Sequence, residues 1–477
     1  KKIDGFDVHF LTGTDEHGLK IQRSAEKNNM KPKDFCDEIS KTFEDLTKVL
    51  NLSNTDFIRT TENRHINSVQ HLWKLLEDNN QIYLSKYAGW YSVSDEAFYQ
   101  EDEIKTIEGK KYAAVSHSMV EWVEEESFFF KLSNWEKPLL KFYKENPKFI
   151  LPESRKNEVV SFVKNGLKDL SVSRKTFSWG IKIPTNEEHI IYVWLDALTN
   201  YISALNYPHV QDKLYKDFWP ASLHLIGKDI LRFHAVYWPA FLLAADIPPP
   251  KRVYGHGWIL SGEEKMSKSK GNILDPIEII DQYGLDPLRY YLIKEVSFGN
   301  DGNISQEKLE SCINSDLANN YGNLCQRVVL FNEKNFNLKI PNNYKFNKDD
   351  QQILDIYSSN IENLINSIDN QNINYYVNFI QEQLFAANKY FNDQEPWKKK
   401  SDKKRLNSIL YVSLELIRKI SILLYPIIPE SSIKALKTFN ITEDKIDFNS
   451  IKNHEILKVN SDINKISILF KKITKND

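Results

Sequence analysis

One stretch decides the fold: Val8-His9-Phe10-Leu11-Thr12-Gly13-Thr14-Asp15-Glu16-His17-Gly18. Residues 8–11 form an apolar run that predicts a buried strand, and residues 12–18 are mostly small or polar. Residues 19–29 then predict a helix. A strand that leads through a polar tip into a helix is the repeating unit of a parallel α/β sheet.

Two further apolar runs repeat this order, at residues 190–194 and 223–226. Each is followed by a polar tip and a helical pattern, so we predict an α/β fold with a parallel, doubly wound sheet. In such sheets ligands bind beyond the carboxyl ends of the strands. The tips at residues 13–17, 196–201 and 227–234 are therefore expected to converge.

The pattern changes twice along the chain. Residues 83–173 carry short aromatic stretches and acidic turns, which indicate an inserted domain. From about Ser305 onward the pattern is helical. One predicted helix there ends before Pro426 and has an apolar face formed by Leu406, Ile409, Leu410, Leu414, Ile417 and Ile420.

Composition limits the class of protein. The chain has 477 residues, enough for roughly three domains at ~150 residues each, and 41% of them are hydrophobic. A formal net charge of -2 means that a polyanionic partner would have to be bound by local basic patches. The three cysteines form no Cys-x-x-Cys pair, which favours a reducing compartment and argues against a zinc knuckle. No run of about 18 apolar residues and no signal peptide supports membrane insertion or secretion.

Two lysines three positions apart lie in a loop of small residues, Lys265-Met266-Ser267-Lys268-Ser269. Lysine ammonium groups and serine hydroxyls suit a polyphosphate, although a generic run of this kind would be a solvated basic loop. The five-residue string resembles the KMSKS signature of class I aminoacyl-tRNA synthetases.

The stretch Phe10 to Gly18 is similar to the segment that marks methionyl-tRNA synthetases within that class. From the residues alone, Asp15 could equally cap the following helix. The resemblance implies that Asp15 binds the ammonium group of methionine.

A second segment of the resemblance predicts the methionine side-chain pocket. Trp194, Leu198 and Tyr201 fall on one side of a predicted helix, and Ile230 and His234 lie one turn apart on another. Aromatic rings suit a polarizable thioether, although such a stripe is more often ordinary core. The resemblance implies that all five residues contact methionine.

The resemblance also implies a nucleotide site. Its expected ATP-binding residues are Gly227, Asp229, Gly257, Lys265, Ser267 and Lys268. Asp229 would face the ribose, the glycine pair around His256 would receive adenine, and Lys265 and Lys268 would be catalytic by stabilising charge on the phosphates. Arg174 matches an arginine near the adenylate in relatives; the alternative is a surface ion pair.

A basic stretch, residues 398–405, follows Pro396 and Trp397. Exposed aromatic rings stack on unpaired bases and lysines neutralise phosphates, whereas the plainer alternative is a capped helix with a charged outer face. Asn323 and Arg327 are four apart and can project together. The resemblance implies that Asn323, Arg327, Pro396 and Trp397 read a CAU anticodon.

The resemblance covers essentially the whole chain and implies a bacterial-type enzyme. Its fold is a class I Rossmann-like parallel sheet with an inserted connective domain and an α-helical bundle for anticodon binding. The expected segments are 1–82, first half of the catalytic domain; 83–173, the insert without zinc ligands; 174–260, second half; 261–310, the KMSKS loop and stem-contact region; and 311–477, the anticodon-binding domain. The first strand and a HIGH motif are expected upstream of Lys1.

The implied activity is the joining of methionine to tRNA(Met) at the expense of ATP, with Mg2+ and without zinc, by a cytoplasmic monomer. The inserted domain is expected to be held by its aromatic residues in place of a metal. Two alternatives stay open on the sequence: a synthetase for another amino acid, and a tRNA-binding relative without catalysis.

Overall fold

The computed structural model describes residues 1–95, 97–99, 101–107, 109–261, 264–265 and 275–474. The chain forms two units: one is His9–His256, and the other combines Lys1–Val8 with Gly257–Asp477. Within the described ranges, no helix is long and apolar enough to cross a membrane.

The unit His9–His256 is built from α-helices and short strands. Its strands are β1 Leu11–Thr14, β2 Asp56–Arg59, β3 Ile82–Ser92, β4 Ala97–Tyr99, β5 Ile104–Ile107, β6 Lys110–Ala113, β7 Glu121–Phe130, β8 Ile150–Leu151, β9 Leu170–Ser171, β10 Ser173–Arg174, β11 Lys182–Ile183, β12 Asn186–Ile191, β13 His224–Gly227 and β14 Val253–His256. Its helices are α1 Leu19–Lys27, α2 Pro32–Val49, α3 Asn63–Asp78, α4 Glu136–Glu145, α5 Glu153–Lys164, α6 Val193–Leu198, α7 Asn200–Ser203, α8 Lys213–Phe218 and α9 Trp238–Ala244.

Parallel pairing confirms the α/β class. β1 pairs with β2 in parallel, and β14 lies in parallel between β13 and β8. The first pair is so close that a Cβ on Gly13 would lie 1.9 Å from the carbonyl oxygen of Ile58. Only glycine fits at this position of β1, because any side chain would collide with the neighbouring backbone.

Two predicted strands differ from the structure. β1 runs from Leu11 to Thr14, whereas the predicted strand runs from Val8 to Leu11. Residues 12–14, which were expected to form a polar tip, pair with β2. The run at residues 190–194 was predicted to be parallel, but β12 is antiparallel to both β10 and β11. Only residues 184–185 separate β11 from β12, and so short a connection can only reverse the chain, since a parallel crossover needs a dozen or more residues.

The inserted region is an antiparallel sheet in the order β4-β3-β7-β9, accompanied by the hairpin β5-β6. Aromatic contacts are present: Trp90 pairs across the sheet with Trp122, with ring centroids 5.1 Å apart, and the Lys111 ammonium lies 4.1 Å from the Trp90 ring.

A polar contact set in the same region was not predicted. The Asp95 carboxylate accepts hydrogen bonds from the hydroxyls of Ser116, Ser118 at 2.7 Å and Tyr99 at 2.7 Å, and the Asp95 amide donates to Ser92 Oγ at 3.2 Å. The hydrogen bonds of Asp95 therefore join the segment of residues 92–99 to residues 116–118.

The second unit is mainly helical. Its strands are β15 Ile259–Ser261, β16 Glu264–Lys265 and β17 Gly302–Ile304. Its helices are α10 Pro276–Tyr283, α11 Leu285–Glu295, α12 Gln306–Cys312, α13 Asn323–Phe336, α14 Lys348–Asp369, α15 Ile373–Asp393, α16 Lys403–Leu424, α17 Pro429–Thr438 and α18 Phe448–Lys452, and a π-helical segment Ile313–Gly322 leads into α13. The helical bundle confirms the predicted architecture of this part.

α16 differs from its prediction of a single apolar face. Every residue from Ser408 to Leu424 is buried, because neighbouring helices and the segment after α18 surround it. The charged residues of this stretch are therefore buried too. Arg418 Nε donates to Glu415 Oε2 at 2.8 Å, and Lys419 Nζ donates to the carbonyls of Ile451 and Asn453.

Candidate active site

The turn after β1 carries two carboxylates with different surroundings. Glu16 is 3% exposed, and its carboxylate accepts from Arg59 Nε at 2.7 Å, Thr61 Oγ1 at 2.5 Å and Thr14 Oγ1 at 2.8 Å. Its pKa is lowered, because these donors outweigh the effect of burial. Glu16 is thus committed to holding the turn.

His17 links the same turn to two distant helices. Its Nδ1 lies 2.7 Å from Asp196 Oδ2 on α6, and Asp196 Oδ1 lies 2.7 Å from His65 Nε2 on α3. His65 Nδ1 in turn contacts Ser203 Oγ at 2.9 Å. Burial acts to raise the pKa of Asp196, but the two imidazoles lower it overall. The buried carboxylate therefore stays ionised and joins two of the three predicted tips, residues 13–17 and 196–201.

Asp15 is the other carboxylate of this turn, and its surroundings differ from those of Glu16. Its side chain is exposed to solvent, and among the described residues it has neither a hydrogen bond nor an ion pair. Although the residue is accessible to solvent, the many protein atoms around its carboxyl group partly desolvate it and, together with the negative charge of Asp196, raise its pKa to about 6. An accessible carboxylate in such surroundings would be stabilised in its charged form by a bound cation.

Aromatic rings form a wall in the same unit. Trp194 stacks on Phe233 with centroids 3.8 Å apart, and Tyr201 stacks on His224, also at 3.8 Å. The Trp194 and Tyr201 rings also contact His234 edge-on, at 6.3 and 5.7 Å. Three of the predicted pocket residues are thereby brought together.

Hydrogen bonds determine which proton His234 carries. Its Nδ1 lies 3.0 Å from the carbonyl of Ile230, so Nδ1 is the donor, and Nε2 is left to accept from Tyr201 Oη at 2.8 Å. Burial lowers the pKa of His234 to about 4 and that of His224 well below its usual value. The wall is therefore uncharged, as a pocket for an apolar side chain requires.

Leu198 and Arg174 are almost fully buried. Leu198 is 1% exposed and packs in the core of the unit. Arg174 is 3% exposed, with its guanidinium 4.6 Å from the Tyr192 ring and Nη1 donating to the Ser173 carbonyl at 2.6 Å. The alternative of a surface ion pair for Arg174 was wrong, because this strand residue faces the aromatic interior.

The predicted ATP residues lie in both units. Gly227 ends β13, and Asp229 and Ile230 follow in one 3-10 turn. Gly257 belongs to the other unit, where a Cβ would lie 2.2 Å from the carbonyl carbon of Asn300, so backbone packing requires this glycine. The backbone of Lys265 ends β16, whereas Ser267 and Lys268 lie outside the described residues.

The four predicted anticodon residues lie in the helical unit. Trp397 is 42% exposed and its ring meets Phe391 edge-on at 6.3 Å; the Arg327 guanidinium lies 5.5 Å from the same Phe391 ring. Pro396 is buried beside Trp397. Asn323 begins α13 and borders a cavity of about 290 Å³, which Asn319, Gln326 and Phe470 also line.

Several residues of the active-site region escaped the sequence analysis. Asp196 was noted only as the start of a tip, and His65 lies in an ordinary amphipathic helix pattern that does not distinguish it. Phe233 and His224 flank the predicted pocket residues, but nothing local marks them as stacking partners. Across the part of the chain that the structure describes, no group of three or more His, Cys, Asp or Glu side chains could hold a metal ion.

Comparison with known proteins places this geometry in a family. Residues 1–329 match the model for class I tRNA synthetases (M), and residues 340–477 match the model for the anticodon binding domain of methionyl tRNA ligase. The chain is 48% identical to a methionine–tRNA ligase of Brucella suis over 94% of this chain and 87% of the relative. It is also 48% identical to that of Rickettsia felis, over 98% and 91%.

Solved structures agree. Mycobacterium tuberculosis methionyl-tRNA synthetase bound by methionyl-adenylate superimposes with a TM-score of 0.95 and 40% identity, covering 99% of this chain and 94% of that one. The apo form of the same enzyme superimposes with a TM-score of 0.87 and 34% identity, covering 98% of each chain. With a parallel α/β sheet, a helical bundle and both family models in order along the sequence, this chain belongs to the methionyl-tRNA synthetases, the class I ligases that join methionine to tRNA.

Proposed function

We propose that methionine binds with its ammonium group on Asp15 and its thioether against Trp194, Tyr201 and His234. One observation carries this assignment: Asp15 is an accessible carboxylate without a protein partner among the described residues, in the same turn where Glu16 and His17 are fully engaged. The negative charge of Asp15 acts on the pKa of Tyr201, so the two groups are near each other. We propose that Leu198 and Ile230, the other two predicted pocket residues, also contact the methionine side chain.

The uncharged wall suits this substrate. A thioether is polarizable and makes favourable contacts with aromatic edges and faces, whereas a charged side chain would lose its hydration there. The hydroxyl proton of Tyr201 is committed to His234, so the Tyr201 hydroxyl is not available as a donor to a polar side chain.

Activation then takes place at the ATP α-phosphate. The methionine carboxylate attacks it in line, the bond to the β-phosphate oxygen breaks, and pyrophosphate leaves with the electron pair. Positioning and electrostatic stabilisation suffice, without a protein nucleophile. ATP enters as its Mg2+ complex, and the ion offsets phosphate charge.

For the nucleotide we propose Gly227, Asp229, Gly257 and Ser267 as binding residues, Lys265 and Lys268 as the cations that stabilise phosphate charge, and Arg174 near the adenylate. These roles rest on the strings in which the residues occur. The methionyl group is then transferred to the 3′-terminal adenosine of tRNA(Met), and Asn323, Arg327, Pro396 and Trp397 read its anticodon. The proposed domain limits are residues 1–82, 83–173, 174–260, 261–310 and 311–477. We propose that the enzyme is a monomer and acts in the cytoplasm.

Replacing Asp15 tests the methionine assignment. Asp15→Asn keeps the size of the side chain and removes the charge, and a hydrogen bond to a charged group contributes roughly 1.5–3 kcal/mol. We expect the KM for methionine in ATP–pyrophosphate exchange to rise about 10- to 100-fold while the KM for ATP stays within twofold. Asp34→Asn, an exposed carboxylate on α2, is the matched control. A wild-type KM for methionine in D15N would refute the assignment.

A further inference from the structure

Four lysines lie together beside Trp397: Lys399, Lys400, Lys403 and Lys404, which we call the lysine strip. The first two follow the 3-10 turn Pro396–Lys398, and the last two begin α16. All four side chains are exposed, and none forms an ion pair with any residue that the structure describes. The neighbouring Lys398 differs, since its Nζ lies 2.7 Å from Glu395.

The position of the strip is unfavourable for the folded protein by itself. The first turn of a helix carries partial positive charge, which disfavours cations such as Lys403 and Lys404 at that position. Arg405 is compensated by the buried carboxylate of Asp350 at 3.0 Å, and Asp402 caps the helix by accepting from the Arg405 amide at 3.0 Å. Lys403 and Lys404 have no such compensation. Stability of α16 therefore does not account for the strip.

The charge is also local. The whole chain has a formal net charge of -2, so the strip stands out against a nearly neutral protein. It adjoins a ring that is open to solvent, since Trp397 is 42% exposed and rests edge-on against Phe391. The guanidinium of Arg327 lies over the same Phe391 ring. An exposed aromatic ring bordered by unpaired cations is the arrangement that binds single-stranded nucleic acid, because bases stack while phosphates are neutralised.

We propose that the lysine strip binds phosphates of the tRNA anticodon arm and supplies affinity that does not depend on base sequence. The proposal rests on the anticodon reading proposed above, and it separates recognition of bases from binding of the backbone. Trp397, Asn323 and Arg327 distinguish bases, whereas the strip holds the backbone on either side of them. Backbone contacts position a nucleic acid, and base contacts specify it.

Salt dependence separates the two roles. Each phosphate that a lysine neutralises releases counterions, so the logarithm of the binding constant falls with the logarithm of salt concentration, with a slope of about -0.7 to -0.9 per contact. Replacing Lys399, Lys400, Lys403 and Lys404 together by Gln should make this slope shallower by about 3. Removing positive charge from the start of α16 should leave the melting temperature unchanged or slightly higher.

The experiment measures binding of two transcripts, tRNA(Met) and the same tRNA with an altered anticodon, at several KCl concentrations. At moderate salt the Kd of the strip variant should exceed that of the wild type by a factor of roughly 10 or more. This factor should be the same for both transcripts. Trp397→Ala should instead lose discrimination between the transcripts and keep the wild-type salt slope. ATP–pyrophosphate exchange, which does not involve tRNA, should be unchanged in the strip variant.

A second quadruple variant is the control: Lys434, Lys437, Lys445 and Lys452 to Gln. These lysines are exposed in the same unit, and α17, which carries the first two, follows the far end of α16, about 33 Å along a 22-residue helix. We expect a wild-type salt slope from it. A wild-type slope in the strip variant, or an equal change in both quadruple variants, overturns the proposal. If the strip variant behaves as expected and Trp397→Ala keeps its discrimination, the strip proposal stands and the role of Trp397 fails.

Discussion

At the scale of single residues, Asp15 shows how the surroundings select one carboxylate for binding. Glu16 is its neighbour in sequence and carries the same charge, yet its carboxylate accepts hydrogen bonds from the side chains of three residues, Thr14, Arg59 and Thr61. Asp15 has an elevated pKa of about 6, caused by desolvation and by the negative charge of Asp196. Both effects disfavour the ionised carboxylate, and the positive charge of a substrate ammonium group would offset them.

The raised pKa of Asp15 predicts an acid limb in methionine activation. Only the ionised carboxylate attracts an ammonium group, and the ionised form is lost as the pH falls through about 6. We expect kcat/KM for methionine in ATP–pyrophosphate exchange to fall below pH 6, approaching tenfold per pH unit well below the pKa. The measurement is the pH profile of wild type and of Asp15→Asn.

The variant should show a low kcat/KM without this limb between pH 5 and 7. An acid limb that persists in Asp15→Asn would assign the titration to another group. His17 is the obvious competitor, because its contact with Asp196 raises its pKa against the opposing effect of burial. Following kcat/KM for ATP in the same series shows whether the loss is specific to methionine.

At the scale of elements, the inserted sheet depends on a polar junction as well as on its aromatic rings. The Asp95 carboxylate accepts hydrogen bonds from three side-chain hydroxyls, which belong to two segments of the chain. Although burial acts to raise it, these donors hold the pKa of Asp95 below its usual value. A lowered pKa in the folded state means that the junction contributes its full stability above the unfolded pKa of about 4 and loses it as the pH falls below that.

Removing this carboxylate should loosen the insert locally. Asp95→Ala leaves the three hydroxyls without their acceptor, at a cost of about 1–3 kcal/mol for the junction. We expect faster amide hydrogen exchange in residues 92–99 and 113–119 and unchanged exchange in α16, read by mass spectrometry. Asp102→Ala removes an exposed carboxylate from the same region and serves as the control. Equal protection in D95A and wild type would show that the aromatic contacts alone hold the insert.

α16 illustrates why a periodic pattern can mislead. Its apolar residues predict one buried face, but Glu415, Arg418 and Lys419 are buried as well. Glu415 accepts from the amides of Ile456 and Leu457 at 3.1 and 3.0 Å, so the segment after α18 completes the surroundings of the helix. Hydrophobic periodicity predicts that the polar residues of a helix face solvent, whereas those of α16 have hydrogen-bond partners inside the protein.

At the scale of the whole molecule, the pocket and the lysine loop are proposed to have different roles. Asp15, Trp194, Tyr201 and His234 lie in the unit His9–His256, whereas Lys268 lies outside the described residues and is proposed to stabilise phosphate charge. Lys268→Ala should therefore leave the Kd for methionine within twofold, measured by equilibrium dialysis. It should lower kcat for ATP–pyrophosphate exchange by about 10²–10³, because a cation that stabilises transition-state charge is lost.

Lys270→Ala is the control for this prediction, since it removes a neighbouring positive charge outside the five-residue string. Equal losses of methionine binding and of exchange in Lys268→Ala would contradict the phosphate role. A loss of exchange as large in Lys270→Ala would mean that the general charge of the loop matters rather than the position of Lys268.

The sequence by itself determined the α/β class, the order of the domains and the family. These depend on strings of contiguous residues, such as Thr14-Asp15-Glu16-His17 and Lys265-Met266-Ser267-Lys268-Ser269, whose local spacing is visible without a fold. The family resemblance also indicated Trp194, Tyr201 and His234 as pocket candidates, whereas their spacing alone is typical of ordinary core.

Only the tertiary structure decided the partners of these residues. His17 and His65 meet on Asp196, which is 179 and 131 residues away along the chain. The direction of β12, the burial of Leu198 and Arg174 and the stacking of His224 on Tyr201 were settled in the same way. The physical reason is that hydrogen bonds and packing act over a few ångströms in space. Which of two adjacent carboxylates stays available therefore depends on segments that folding brings close and that no local pattern records.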